Sequence, residues 1–343
     1  MSVSNFLWSE KNAFLASLHT GIVHGMVNTW KRCASLKNSP QEPDLVAGLV
    51  LESTPFLYEA LQAILKPHRI GVSLASVFCH QKPEVAFDSS AKPCELGDVL
   101  FVYVHTPRRG PCRRNALLFQ AKMSSKQPYP IRAAERHQLQ LYAEWPDFRY
   151  ARSSGLTGQT RNVNPKAPHA GAQYLLIDDR PPDEPASGLL GFPGTYPIGC
   201  CMPDEFLHDH ADLASELFHL FLFRSGRAFE DHGAAGCAND WSQVVWDLIE
   251  YGMKYRFNRA RSDRQNSPRT YAASADGLSF CQTSPNRRID TVSQAIGHSD
   301  ASRFFESGGD EPPRHSDRQT NDGEPRSGVS LILIETWERL NEE

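Results

Sequence analysis

Long apolar runs are missing from this sequence: no stretch approaches the roughly 20 residues a membrane-spanning helix needs. The N-terminus, MSVSNFLWSEKNAF, lacks a basic segment followed by a sustained apolar one, so no signal peptide is expected. Paired cysteines are missing too. Eight cysteines are scattered through 343 residues without a C-x-x-C pair, and the adjacent Cys200 and Cys201 are poorly placed to bond each other. A reducing compartment fits this usage better than a disulfide scaffold. We therefore expect a soluble cytoplasmic protein with no membrane partner. There is no excess of basic residues: Lys and Arg number 36 against 40 Asp and Glu, for a formal net charge of -4. Nothing draws the whole chain to nucleic acid, so such binding would need local basic patches. No G-x-x-x-x-G-K-[ST] loop is present, which argues against ATP hydrolysis, and no G-x-S-x-G elbow carries a serine nucleophile.

What is present is enough apolar sequence, 40% of residues, for a sizeable core. Asn5 to Trp30 has helical apolar spacing. A polar stretch from Lys31 to Asp44 follows, and then an apolar stripe of Phe56, Leu57, Ala60, Leu61, Ile64 and Leu65. Pro55 suits the first position of that helix, with Thr54 as its N-cap. Gly71 to Phe78 reads as a strand, Arg132 to Trp145 as a helix with Ala134 toward the core, and Gln173 to Ile177 as a strand. Ala211 to Phe223 and Asp240 to Phe257 are helical. Between Asn258 and Gly328 polar residues, Gly and Pro dominate, and little fixed structure is expected. Val329 to Ile334 is strand-like.

The sequence is organised around Glu95 to Met123. Two apolar, β-prone runs flank the basic loop PRRGPCRR, as in a β-hairpin. With the turn centred near Gly110, partner numbers should sum to about 220, which sets Asp98 opposite Lys122. Gln120 and Lys122, two apart, share a face. A carboxylate, an amide oxygen and an ammonium thus meet at one end of an apolar hairpin, where a buried strand needs a reason to carry them. An oxygen pair can hold a hard cation such as Mg²⁺, with Mn²⁺ as a substitute, against a substrate phosphate. The cation polarises the phosphoryl oxygen, and Lys122, with an ordinary pKa of about 10.4, stays a cation that stabilises charge developing at phosphorus. Gln120 brings no charge, so a further carboxylate should complete the set. Glu59, on the preceding helix, is the first candidate. Glu95 is the second; three residues from Asp98, it needs a bend or bulge to join.

Helix, strand, strand with Asp, strand with (Asp/Glu/Gln)-x-Lys, helix: this order resembles the PD-(D/E)XK phosphodiesterases. Asp98 followed by Gln120-Ala121-Lys122 is similar to their variant with Gln in the middle, found in Mrr-like restriction enzymes and anti-phage nucleases. The departure is Gly97, which stands where the motif has Pro. The resemblance spans roughly residues 50 to 150. It implies an α/β, restriction-endonuclease-like mixed central sheet flanked by helices, here with additional C-terminal helices. The expected division is an N-terminal helical segment (1–43), a nuclease domain with helical extension (44–257), a polar segment (258–328) and a terminal strand and tail (329–343). It further implies a metal-dependent endonuclease in which Asp98 and Gln120 bind the metal, Lys122 is catalytic, Glu59 matches a helix-borne Glu, and DNA is the substrate. A defence role and a sensor or ATPase partner come from the same resemblance, and homo-oligomerisation is left open.

Arg108, Arg109, Arg113 and Arg114 at the loop, and Arg136 on the following helix, are candidate phosphate contacts or else solvated surface. His208, Asp209, His210 and Asp212 offer an alternative metal cluster, or an acidic helix start. A non-catalytic binding or scaffold module that keeps the nuclease-like fold is the second functional reading.

Overall fold

The computed structural model describes residues 3–80, 83–87, 92–153, 155–164, 166, 171–182, 197–232, 240–258, 270–283, 289–306 and 328–338. Their centre is a mixed sheet of nine strands. Its order is Asp209–Asp212, Ile198–Cys201, Ala172–Ile177, Arg113–Met123, Val99–Thr106, Ser330–Glu338, Ile70–Val77, Ser279–Gln282, with Arg227–Ala228 adding to Arg113–Met123. Two neighbour pairs are parallel, Arg113–Met123 with Ala172–Ile177 and Val99–Thr106 with Ser330–Glu338. The others are antiparallel.

Val99–Thr106 is buried along almost its whole length because the sheet is covered on both sides. Val99, Phe101 and Tyr103 face a layer built by the helices Lys11–Ser35, Glu42–Ala47, Ser53–Leu65 and Leu213–Phe221. Leu100, Val102 and Val104 face the other layer, with Arg136–Glu144, Trp241–Asn258, Asp290–Ile296 and His298–Glu306. Each fully buried Phe or Leu of this strand contributes about 1.5–3 kcal/mol. The fold is thus a central mixed sheet between helical layers, as expected.

The chain departs from the sequence-based reading in several places. The first expected helix is two, Val3–Ser9 and Lys11–Ser35. Thr54 and Pro55 do not start a helix. The helix begins at Glu42, passes a π turn at Gly48–Glu52 and runs on to Leu65. Pro55 has no N–H to give the carbonyl of Leu51, and the Thr54 hydroxyl donates to Leu51 O (3.3 Å) and Val50 O (2.9 Å) instead. Ala134 is exposed, because residues Ala133–Glu135 form a separate 3-10 turn.

The terminal strand is no appendage. Ser330–Glu338 is hydrogen-bonded on both sides, between the strands that start at Ile70 and Val99, so the sheet is closed by the last part of the chain. Nor is all of 258–328 unstructured. Tyr271–Ala275, Ser279–Gln282, Asp290–Ile296 and His298–Glu306 are ordered elements. A few apolar residues at helical spacing (Val292, Ile296, Phe304) reach the core, and Glu335 of the terminal strand accepts the N–H groups of Asp290 (3.0 Å) and Thr291 (2.8 Å). Residues 259–269, 284–288 and 307–327 of that segment lie outside the described residues, as do 183–196 of the long loop before Ile198.

Candidate functional site at the end of the hairpin

The hairpin strands pair antiparallel, Val99 with Phe119 and His105 with Arg113. The partner numbers sum to 218, so the turn is centred on Arg109 and Asp98 falls opposite Gln120, not Lys122. The correction is two residues, which leaves every side chain on its expected face. Asp98 is fixed at the entry of its strand: its N–H donates to Phe119 O (2.8 Å) and its carbonyl accepts from Ser330 N (2.9 Å). Its Oδ2 accepts the N–H of Ala121 at 2.7 Å, which aims the carboxylate at the Gln120–Lys122 segment. Gly97 is needed where it stands. A Cβ there would lie 2.7 Å from Leu118 and 2.8 Å from the Tyr142 hydroxyl, which donates to Leu96 O.

Gln120 and Lys122 are buried, on the face that carries Leu118, and meet the turn and helix over Ala133–Glu144. Gln138 of that helix donates through Nε2 to Gln120 Oε1 and to Glu95 O (3.0 Å), tying the amide to the bend before Asp98. Lys122 Nζ lies 3.3 Å from Glu135 Oε1. Glu135 is itself anchored, accepting from Arg132 N (2.9 Å) and the Tyr129 hydroxyl (3.2 Å).

Glu59 is exposed on its helix and takes no part in the field around Lys122. Glu42, one helix start earlier, acts on both Lys122 and Asp98. Helix Glu42–Ala47 belongs to the opposite layer but packs against strand Arg113–Met123. Its first residue therefore lies within electrostatic reach of Asp98 and Lys122. Burial pushes the Glu42 carboxyl up to about 7, with Glu95 and Glu135 adding and Lys122 opposing. Asp98 is pushed well above the usual carboxylate range by burial, then by Glu42 and Glu95, against the Ala121 N–H and Lys122. Glu95 is raised by burial and by Glu84, against Lys122. Burial acts to lower Lys122, but Glu42, Glu135 and Asp98 outweigh it and hold the ammonium above its ordinary value. Glu95 enters through the bend its spacing required: it ends the short strand Cys94–Glu95, paired with Glu84 in a second small sheet.

One end of the hairpin thus sets three carboxyls that resist ionising in the field of one firmly charged lysine, with an amide oxygen opposite Asp98. These are hard oxygen donors with negative charge in excess, the chemistry that suits a hard divalent cation. Among the described residues no three His, Cys, Asp or Glu side chains stand as a metal-ligand group, and this includes Asp98, Glu42 and Glu95.

The other candidates separate from this site. The arginine loop is at the far end of the hairpin, about 25 Å away for eight residues at ~3.3 Å each. Arg109 and Arg113 are exposed there, and Arg114 is paired with Asp231. Arg136 is exposed beside Glu135, at the carboxylate end. The His208–Asp212 cluster resolves into helix-start chemistry. Asp212 caps Leu213–Phe221 by accepting from Ser215 N (3.0 Å), and His210 Nε2 lies 3.4 Å from Glu216. The neighbouring Cys200 and Cys201 thiols are pushed up by burial, Cys201 to about 12, which disfavours the thiolates that zinc needs.

Sequence reasoning does not single out Glu42, Glu135 or Gln138. Two signals point to Glu42 and Gln138. Gln41-Glu42-Pro43-Asp44 is a helix start, with Asp44 Oδ2 accepting from Gln41 N (2.9 Å). Gln138 stands in the buried stripe of Leu141, Tyr142 and Trp145, where an amide needs a partner.

No family model, curated protein or solved structure matches the chain. No described helix is long and apolar enough to cross a membrane.

Proposed function

We propose that the chain is a divalent-metal-dependent phosphodiesterase of the PD-(D/E)XK kind acting on nucleic acid, with DNA as substrate by resemblance. The observation that carries this is Asp98 set opposite Gln120 and bonded to the Ala121 N–H between Gln120 and Lys122, with Glu42 and Glu95 acting in the same electrostatic field. Carboxyls that favour protonation when left to themselves are groups a cation would compete for. Asp98, Glu42 and the Gln120 carbonyl would hold Mg²⁺ or Mn²⁺, with Glu95 beside them. When bound, the cation supplies Lewis-acid polarisation of a phosphoryl oxygen. Lys122 presents a fixed positive charge to the phosphate as charge develops there. Glu135 keeps the ammonium in place, and Gln138 orients the Gln120 amide. The order of elements supports the restriction-endonuclease-like assignment, with one variation: the terminal strand lies between the first strand and the Asp98 strand. A role in anti-phage defence, with a sensor or ATPase partner, extends the same resemblance.

Supercoiled plasmid with Mg²⁺ or Mn²⁺ tests the reading. Wild type should nick it, and Lys122→Ala and Glu42→Gln should not. Equal nicking by wild type and Lys122→Ala would sink the assignment. A second reading, a non-catalytic module, draws on one observation: Gln138 already occupies the Gln120 oxygen and Glu135 the lysine. Calorimetry separates the two, since Mg²⁺ binding lost in Asp98→Asn belongs to the enzyme and no binding by wild type belongs to the module.

A further inference from the structure

The opposite end of the hairpin carries a second chemistry. Arg109, Arg113, Arg224 and Lys11 gather there on a chain whose net charge is negative. The three arginines are exposed, and none of the four cations forms an ion pair among the described residues. Three of them lie over aromatic rings instead. The Arg113 guanidinium lies 3.8 Å from the centroid of Phe223, and that of Arg224 lies 4.9 Å from Trp8, whose ring Lys11 also approaches at 5.2 Å. Trp8 keeps 39% of its surface exposed.

The turn joining these rings is held in an unfavourable conformation. Phe223 has φ 58°, the left-handed region that a bulky side chain rarely enters. The turn is held by Asn115 of the hairpin, whose amide donates to Ser225 O, and by Arg224 N donating to His219 O (2.9 Å). That conformation places Phe223 under Arg113 and its neighbour Arg224 over Trp8. Strain kept by anchoring contacts, with cations parked on rings rather than paired to carboxylates, is a preorganised anion surface. Guanidinium forks match phosphate oxygens, and three arginines to one lysine favour phosphate over a point-charge partner.

We propose that this face binds the phosphate backbone of a nucleic acid, as a contact separate from the carboxylate site. It shares its ligand class with the proposed function but needs no metal and no cleavage.

The test is fluorescence anisotropy of the full chain with a labelled DNA duplex in EDTA across a salt series. Wild type should bind, and Arg113→Glu with Arg224→Glu should weaken binding about tenfold or more. The same pair should reduce the salt slope by about 1.8, two phosphate contacts at ~0.9 each. Trp8→Ala should weaken binding less, by removing the seat of Arg224. Both arginines are exposed, so an unchanged melting temperature checks that the variants fold. The proposal fails if wild type does not bind at low salt, if the double variant binds as wild type does, or if poly-glutamate competes as well as DNA. Binding in EDTA together with no plasmid cleavage by any form in Mg²⁺ or Mn²⁺ would sink the nuclease reading and leave this one standing.

Discussion

Two acidic centres lie against this sheet, one buried and one half-buried, and they solve the same problem in opposite ways. Glu216 is 5% exposed and surrounded by donors: Gln173 Nε2 at 2.7 Å, the Ser225 hydroxyl and His210 at 3.4 Å. Burial acts to raise its carboxyl, but these hydrogen bonds outweigh it, and the group is held below the usual range. Asp98 accepts one backbone N–H and faces Glu42 and Glu95, and its carboxyl is driven up. The first centre is satisfied by the protein itself. The second leaves negative charge unmatched, and Lys122 alone does not balance it. What distinguishes a structural carboxylate from a poised one is therefore the supply of donors, not the depth of burial.

The largest expected effect is on cleavage. Lys122→Ala should lower plasmid nicking by about a hundredfold or more, as loss of a charge aimed at the reacting group does elsewhere. Glu216→Gln should leave nicking per folded molecule within roughly twofold, being on the other face of the sheet from Gln120 and Lys122. If the two variants lose activity alike, the two centres do not differ in function.

Stability should divide them next. Glu216→Ala strands Gln173 and Ser225 and should cost about 2–4 kcal/mol in urea unfolding. An unchanged midpoint would show that Glu216 is not the satisfied centre described.

The pH dependence should have opposite sign at the two. The carboxyl of Glu216 is lowered by folding, so its contribution is present above its ordinary value near pH 4.3 and is lost as pH falls further. Glu42 is raised to about 7. Its contribution is complete below its ordinary value and is lost as pH rises through 7. Glu42→Gln should therefore stabilise the metal-free protein by about 1 kcal/mol at pH 8 and change little at pH 5. It should also abolish the rise in melting temperature that Mg²⁺ gives wild type at pH 8. A variant less stable than wild type at pH 8 would contradict the crowding of carboxyls at this end.

The smallest effect sharpens the boundary of the site. Glu59→Gln, on an exposed helix face, should alter stability by no more than about 0.5 kcal/mol and leave Mg²⁺ binding alone. Weakened Mg²⁺ binding by calorimetry would return Glu59 to the ligand set.

Much of the candidate site is legible in the sequence alone. The runs around the PRRGPCRR loop are apolar and β-prone, so the hairpin is readable, and the twofold alternation of a strand puts Gln120 and Lys122 on one face. The turn centre differs from the expected one, but by two partner numbers, so no face is lost. Glu95 carries its own warning, since its spacing demands a bend. Glu59 does sit on the expected helix, but on the face away from the buried Leu57, Leu61 and Leu65. Here the Thr54 hydroxyl serves Leu51 O in place of the missing proline N–H, and the helix starts at Glu42 instead. The arginine loop misleads differently: adjacent in sequence to the Gln-x-Lys strand, it is a full strand length away from its end.

The sequence by itself determined the local pieces: the hairpin, the shared face of Gln120 and Lys122, and the apolar stripes of the covering helices. These follow from fixed strand and helix periods acting over a few residues. Only the tertiary structure decided that Glu42, from the opposite helical layer, completes the acidic end. It also decided that Gln138 and Glu135 hold the amide and the lysine, and that the last strand of the chain lies beside Val99–Thr106. Those choices depend on which layer abuts which strand end, a matter of long-range packing that no local period encodes.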